Sequence, residues 1–182
     1  MKFGIRNIIF LVLSIVLGYL GFYLIGGHVL AAIFAVLWFD KVIIGTAGLP
    51  HKFGVELTTI ATILMGIIYG PVLAFVLTMI LLPVLYGLKY ILLPLSPPSW
   101  PLFVPSPQNL VDAIGAAAAG IFAGFDLLIL FLGVFIIKEI AYLAVDFMIG
   151  RPPDVIYPFV NFVFNILIVL NMGSFFLGLV GL

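Results

Sequence analysis

The sequence predicts an all-α protein, a polytopic bundle of six or seven transmembrane helices forming one integral membrane domain over residues 1–182. Of its residues, 65% are hydrophobic and only 8% are charged, whereas a soluble domain carries about 25% charged residues. Long apolar runs with few charges have the character of membrane-crossing helices. The alternation of polar and apolar residues that marks a membrane β-barrel does not occur.

Several functions are excluded by composition. The formal net charge is zero, so no nucleic-acid surface is expected. The chain has no cysteine, which excludes disulfides, thiolate metal sites and a cysteine nucleophile. His28 and His51 fall in different turns, so we expect no metal site, and nothing indicates a cofactor. No Ser/His/Asp set or H-E-x-x-H motif is present, so we expect no catalytic residues and no enzyme.

The turns follow from glycine and proline. The N-terminal apolar stretch is longer than the roughly 7–15 residues of a signal peptide core, so we interpret it as a retained first span. Gly26-Gly27-His28 predicts one tight turn and Gly70-Pro71 another, because proline at a first helical position loses no hydrogen bond. The proline-rich loop 94–108 cannot be helical. The predicted spans are residues 5–26, 29–46, 54–69, 72–93, 109–124, 127–149 and 156–180.

The basic residues suggest an orientation. With a cytoplasmic N-terminus and seven alternating spans, the turns near residues 27, 70 and 125 lie outside and contain no lysine or arginine. This is the positive-inside pattern, so we predict a multi-pass protein of the cell membrane. Six spans is the alternative, because span 109–124 would be only about 24 Å long, against a membrane core of about 30 Å. The residues placed inside are Lys2, Arg6, Lys52, Lys89 and Arg151.

Polar residues inside the spans are candidates for a site, because ionisable groups are expensive in a membrane. Glu56 begins a span and is followed by Thr58, Thr59 and Thr62. These residues either stabilise their own helix start or line a cavity. Asp40-Lys41 lies in the last turn of span 29–46, where Lys41 can reach the membrane surface.

Lys138-Glu139 lies near the middle of span 127–149, and Glu139, Tyr142 and Asp146 share one helix face. This group is either an internal ion pair connecting spans 127–149 and 29–46, or a substrate site. Other polar residues suggest structural roles: contacts between helices for Asn161, Asn165 and Asn171, and capping for Asn109 and Asp112.

Small residues predict close helix packing. Ala116, Gly120 and Gly124 are spaced four apart in span 109–124, and Ala31 and Ala35 repeat that spacing in span 29–46. Such stripes let helix backbones approach closely. They either pack within the chain or dock onto a partner protein.

The stretch FGVELTTIATILMGIIYGPVLAFVLTMI, residues 53–80, resembles the central hairpin of substrate-binding S components of energy-coupling-factor transporters and of the related MreD family. Residues 157–180, YPFVNFVFNILIVLNMGSFFLGLV, look like the last helix of that superfamily. The resemblance implies a prokaryotic transport protein with six helices around a pocket. It also implies a transmembrane coupling subunit with ATPases as partner and a small molecule as cargo.

Three functions remain open from the sequence. An S-component-like protein predicts a substrate cavity, with the candidates Glu56, Thr59, Lys138, Glu139, Tyr142 and Asn165. An MreD-like scaffold predicts that such residues are paired, with no cavity, and that partners dock through spans 29–46 and 109–124. An intramembrane lipid-processing enzyme predicts Glu56, Asp146, Arg151 and Asp154 at one membrane depth, with an opening toward lipid.

Overall fold

The computed structural model describes residues 4–47, 54–93, 95–150, 152 and 154–182. These residues are all-helical and contain no strand. Lys2, His51, Lys52 and Arg151, to which the sequence assigned turns or a membrane side, lie outside this description. The helices are α1 (Ile5–Trp38), a π-helical continuation (Phe39–Ile44) with a short turn (Gly45–Ala47), α2 (Thr58–Leu92), α3 (Pro107–Ile121), α4 (Leu127–Met148) and α5 (Ile156–Leu179).

Four stretches of the described chain are long and apolar enough to cross a membrane. This supports a membrane protein, whereas the predicted six or seven spans are not confirmed by length and composition. The stretches are Ile5–Ile44, Thr58–Leu92, Leu127–Met148 and Ile156–Leu179.

The first of these stretches reverses direction at two glycines. Gly26 and Gly27 have non-helical backbone angles, and Gly27 has a φ of 72°. Beyond them, Trp38 Nε1 donates to Ser14 Oγ at 3.0 Å. In a straight helix these two residues would be about 36 Å apart, so α1 is a hairpin with arms on either side of Gly26-Gly27.

Helix α2 is a second hairpin, which turns at Gly70-Pro71. Gly70 has a φ of 71° and a ψ of 174°, a left-handed φ that favours glycine. Thr78 Oγ1 lies 3.6 Å from Met65 Sδ, although a straight helix would separate them by about 20 Å. The turn therefore brings the two arms of α2 side by side.

Helix α3 packs against α2 through its small residues. A Cβ added to Gly66 would lie 2.4 Å from the Ala116 carbonyl oxygen, and one added to Gly120 would lie 2.5 Å from Pro71 N. Two predicted docking residues, Ala116 and Gly120, therefore pack within the chain. Gly124 lies beyond the end of α3 at Ile121 and has open space around it.

The apolar core lies between α2, α3, α4 and the second arm of α1. Phe34, Leu37, Leu64 and Phe131 are among its fully buried side chains. The other predicted docking residues lie at this core, Ala31 buried and Ala35 half-buried. The first arm of α1 is largely exposed, as expected of apolar side chains that face lipid.

Candidate solute-binding cavity

The polar site is built around residues 54–59, just before and at the start of α2. The first backbone N–H groups of a helix have no partner within that helix. Here Asp40, from the π-helical segment, supplies one: its Oδ1 accepts from Leu57 N at 2.6 Å. Its Oδ2 accepts from Thr58 Oγ1 at 2.6 Å. Asp40 thus fixes the end of α1 to the start of α2.

Glu56 is 4% exposed and bound from two sides. Lys41 Nζ lies 3.3 Å from Glu56 Oε2 and 3.3 Å from Asp40 Oδ2. From α5, Asn161 Nδ2 donates to Glu56 Oε1 at 3.2 Å, and Asn165 Nδ2 donates to the Glu56 carbonyl at 3.2 Å. The two asparagines therefore connect helices, the role predicted for them.

Lys138 forms a second buried network. Its Nζ lies 2.7 Å from Asp112 Oδ1 on α3 and donates to Thr59 Oγ1 on α2 at 2.8 Å. Tyr142 donates through its hydroxyl to the same Asp112 oxygen at 3.2 Å. The capping role expected for Asp112 is wrong, and the ion pair expected to reach span 29–46 instead joins α4 to α3.

The start of α3 is capped as expected for Asn109. Ser106 Oγ accepts from Asn109 N at 3.2 Å, and Asn109 Oδ1 accepts from Ser106 N at 2.9 Å. This reciprocal pair is a capping box. It leaves Asp112, one turn further along, to face Lys138.

A cavity of about 620 Å³ lies beside both networks, where helix ends meet. Ligand pockets in proteins measure about 300–1,000 Å³, so it has room for a small solute. Its charged and hydrogen-bonding lining consists of Lys41, Glu56, Tyr86, Lys89, Gln108, Asn109, Asp112, Glu139, Tyr142, Asp146, Asp154 and Tyr157.

Three of the six predicted substrate-binding residues line this cavity: Glu56, Glu139 and Tyr142. The other three, Thr59, Lys138 and Asn165, are buried and do not line it. They hold neighbouring side chains in place. Lys41, Lys89 and Tyr86 also line the cavity, but the sequence did not single them out as site residues. Their one signal was position, since each lies near the end of a helical arm that carries a lysine.

The lining is suited to binding by charge and hydrogen bonds. Within the described part of the chain, no group of three His, Cys, Asp or Glu residues is placed to hold a metal ion.

Lys89, which lines the cavity, also connects two elements. Its Nζ donates to the Gly45 carbonyl at 3.1 Å, which joins the second arm of α2 to the end of the first hairpin.

Comparisons with protein families, curated proteins and solved structures find no match to this chain.

Proposed function

We propose that this chain is a multi-pass protein of the cell membrane that binds a small polar solute in the cavity, as a substrate-binding component of a transporter. The observation that carries this proposal is the cavity of about 620 Å³ lined by charged side chains within an apolar helix bundle. Charged residues in membrane proteins face water, protein or substrate because lipid exposure is expensive.

The cavity favours solute binding over a scaffold of the MreD kind. A scaffold predicts that the polar groups are paired and that no cavity remains. Lys41 and Lys138 are indeed paired with carboxylates. Glu139 and Asp146, however, face the cavity without a hydrogen bond or ion pair to any described residue.

We also propose seven crossings with a cytoplasmic N-terminus. Each hairpin would cross twice, and α3, α4 and α5 once each. Asn7 Nδ2 donates to the Leu92 carbonyl at 3.1 Å, so the start of α1 lies at the end of the bundle that holds Lys89. The positive-inside rule then favours a cavity open to the cytoplasm. Solute capture from outside, as S components perform it, needs the opposite orientation.

Cysteine labelling tests the orientation, because the chain has no cysteine of its own. Gln108→Cys places a thiol in the cavity, and Gly124→Cys places one in open space between α3 and α4. With a membrane-impermeant maleimide, we expect labelling of the Gln108→Cys variant from the cytoplasmic side and of the Gly124→Cys variant from outside. Reversed labelling would support the capture orientation, and labelling of both from one side would contradict seven crossings.

Solute binding itself is tested by thermal unfolding of the purified protein with cationic, zwitterionic, anionic and neutral solutes. A solute at one hundred times its Kd stabilises by about 2.7 kcal/mol, which is a readily measured rise in Tm. Leu143→Trp adds bulk to the cavity lining, and Ile140→Trp, on the same helix but outside that lining, is its matched control. If no solute raises the Tm, the proposal fails.

A coupling subunit with ATPases would dock on the small residues that remain accessible. Gly124 is exposed and Ala35 half-buried, whereas Ala31, Ala116 and Gly120 pack inside the chain. We expect Gly124→Leu to reduce co-purification of such ATPases without lowering the Tm. An unchanged yield of partner would contradict docking at this position.

A lipid-processing enzyme is the second candidate, favoured by an apolar groove of about 400 Å³ beside the cavity. Leu110 and Val145 line the groove, while their sequence neighbours Asn109 and Asp146 line the cavity. Polar and apolar binding surfaces thus flank the same two helices. Mass spectrometry of lipids incubated with the protein and with its Glu56→Gln variant tests this candidate, which predicts turnover that depends on Glu56.

A further inference from the structure

We infer that the cavity takes an organic cation with at least two amino groups, a linear diamine or polyamine. This inference rests on the proposed solute binding and names the class of solute. It is carried by the distribution of charge and aromatic rings around the cavity.

Carboxylates outnumber cations among the described lining residues. Glu56 and Asp112 are each neutralised by a lysine, Lys41 and Lys138 respectively. The lining also contains Glu139, Asp146 and Asp154, and the remaining cation is Lys89. An anionic solute would therefore meet excess negative charge, which disfavours its entry.

Two of these carboxylates are available to a solute. Asp154 accepts hydrogen bonds from Ile156 N at 2.9 Å and Tyr157 N at 3.2 Å, so it is occupied at the start of α5. Glu139 and Asp146 form no hydrogen bond or ion pair with a described residue. Both lie on the face of α4 that lines the cavity.

The spacing of Glu139 and Asp146 selects the shape of the cation. They are two helical turns apart, so their Cα atoms are separated by about 10 Å along α4. Within the described chain no third His, Cys, Asp or Glu is placed to join them in holding a metal ion, so a single metal ion is disfavoured as the ligand. A flexible chain with an ammonium group at each end can place one charge at each.

Aromatic rings complete the match to an amine. Tyr86 and Tyr157 line the same cavity, and an ammonium group is attracted to a tyrosine face within about 6 Å. The aliphatic linker of a diamine would contact Leu82 and Leu143, which also line the cavity.

The test is titration of the purified full chain, by calorimetry and by Tm, with five probes at matched ionic strength. The probes are spermidine, 1,8-diaminooctane, butylamine, succinate and magnesium chloride. We expect the two amines with several amino groups to bind at least tenfold more tightly than butylamine, succinate or Mg²⁺. Glu139→Gln and Asp146→Asn should each weaken that binding about tenfold.

Asp126→Asn is the matched control. It removes one carboxylate at the start of α4 and outside the cavity, and asparagine caps a helix about as well as aspartate. Its affinity should equal that of the parent. Glu139→Gln and Asp146→Asn break no hydrogen bond or ion pair within the described chain and keep the size of the side chain, so their Tm without solute should stay close to that of the parent and exclude misfolding.

The outcomes distinguish a failure of the diamine assignment from a failure of the proposed solute binding. Parent-like amine affinity in both cavity variants overturns the assignment to Glu139 and Asp146. If succinate or a neutral solute binds, and the binding is lost in Leu143→Trp, the assignment of a cationic solute is overturned while solute binding stands. If none of the charged and neutral solutes binds, both proposals fail.

Discussion

Lys138 and Asp112 are an ion pair almost fully removed from solvent, with exposures of 2% and 3%. Burying charges costs several kcal/mol per ion, and their mutual attraction offsets this only when both partners remain. The pair is therefore more sensitive to the loss of one charge than to the loss of both.

Replacing Lys138 by Met leaves the Asp112 carboxylate buried, with Tyr142 as its remaining hydrogen-bond donor within the described chain. We expect a loss of about 3–5 kcal/mol in the free energy of unfolding. The double variant Lys138→Met with Asp112→Leu should recover most of it. A denaturant titration in detergent measures both, and equal losses in the single and double variants would contradict a coupled pair.

Two asparagines on α5 offer an internal comparison. Asn161 donates to the Gly54 carbonyl at 3.0 Å, in the segment just before α2. Asn171 donates to the Leu167 carbonyl within its own helix, so the contact between helices expected for Asn171 is wrong. Interhelical hydrogen bonds in membranes contribute about 0.6–2 kcal/mol. Asn161→Leu should therefore lower the free energy of unfolding by that amount and Asn171→Leu should leave it nearly unchanged. Equal losses in the free energy of unfolding would contradict a stabilising role for the Asn161 contact.

At the residue scale, the sequence allowed the choice of Glu56, Glu139 and Tyr142 because polar groups are so rare in these spans. It did not allow their pairing to be predicted. Asp112 near a helix start has capping as its default, and only the packing of α3 on α4 brings it to Lys138.

Helices α1 and α2 owe their hairpin shape to glycines, and the glycines differ in what they do. Gly70 has a positive φ but open space around it, whereas Gly66 touches the α3 backbone. Gly70 is needed for the backbone conformation of the turn, and Gly66 is needed for the close approach of α2 to α3.

Gly66→Ala should therefore be the most damaging of three glycine substitutions, because its Cβ would lie 2.4 Å from a carbonyl oxygen. Gly70→Ala should cost about 1–3 kcal/mol, because a φ of 71° with a ψ of 174° is a conformation open essentially to glycine alone. Gly133→Ala in α4, with nothing within 4 Å, should be neutral or stabilise by up to about 1 kcal/mol. Thermal unfolding gives the order, and a Gly133 variant as unstable as the Gly66 variant would contradict it.

The positions of the helix reversals could be predicted from local sequence, because glycine and proline mark them. The reversals lie at the turns predicted from Gly26-Gly27 and Gly70-Pro71. The limits of α3 differ: it begins at Pro107, through its capping box, and ends at Ile121. The alanine-rich stretch gave no signal for that end.

Over the whole molecule, the sequence indicated that the basic residues outside the middle of the spans lie on one side of the membrane, because the turns near residues 27, 70 and 125 contain no lysine or arginine. A cavity was expected only from one of three open functions, and neither its size nor its full lining could be predicted. An empty volume depends on how far helices α2 to α5 stand apart at that end, which is set by packing in the core rather than by the polar residues themselves.

The contact between Asn161 and Gly54 joins residues 107 positions apart, and this has a consequence for biosynthesis. A ribosome adds about 5–20 residues per second, so the start of α2 waits roughly 5–20 seconds for its partner on α5. During that interval the Glu56 region lacks its last donors, a state that cellular quality control can detect. A chain truncated after Gly150 should remain in that state permanently. Pulse–chase labelling should show a much shorter half-life for it than for the full chain, and equal half-lives would mean that the final helix is not what completes assembly.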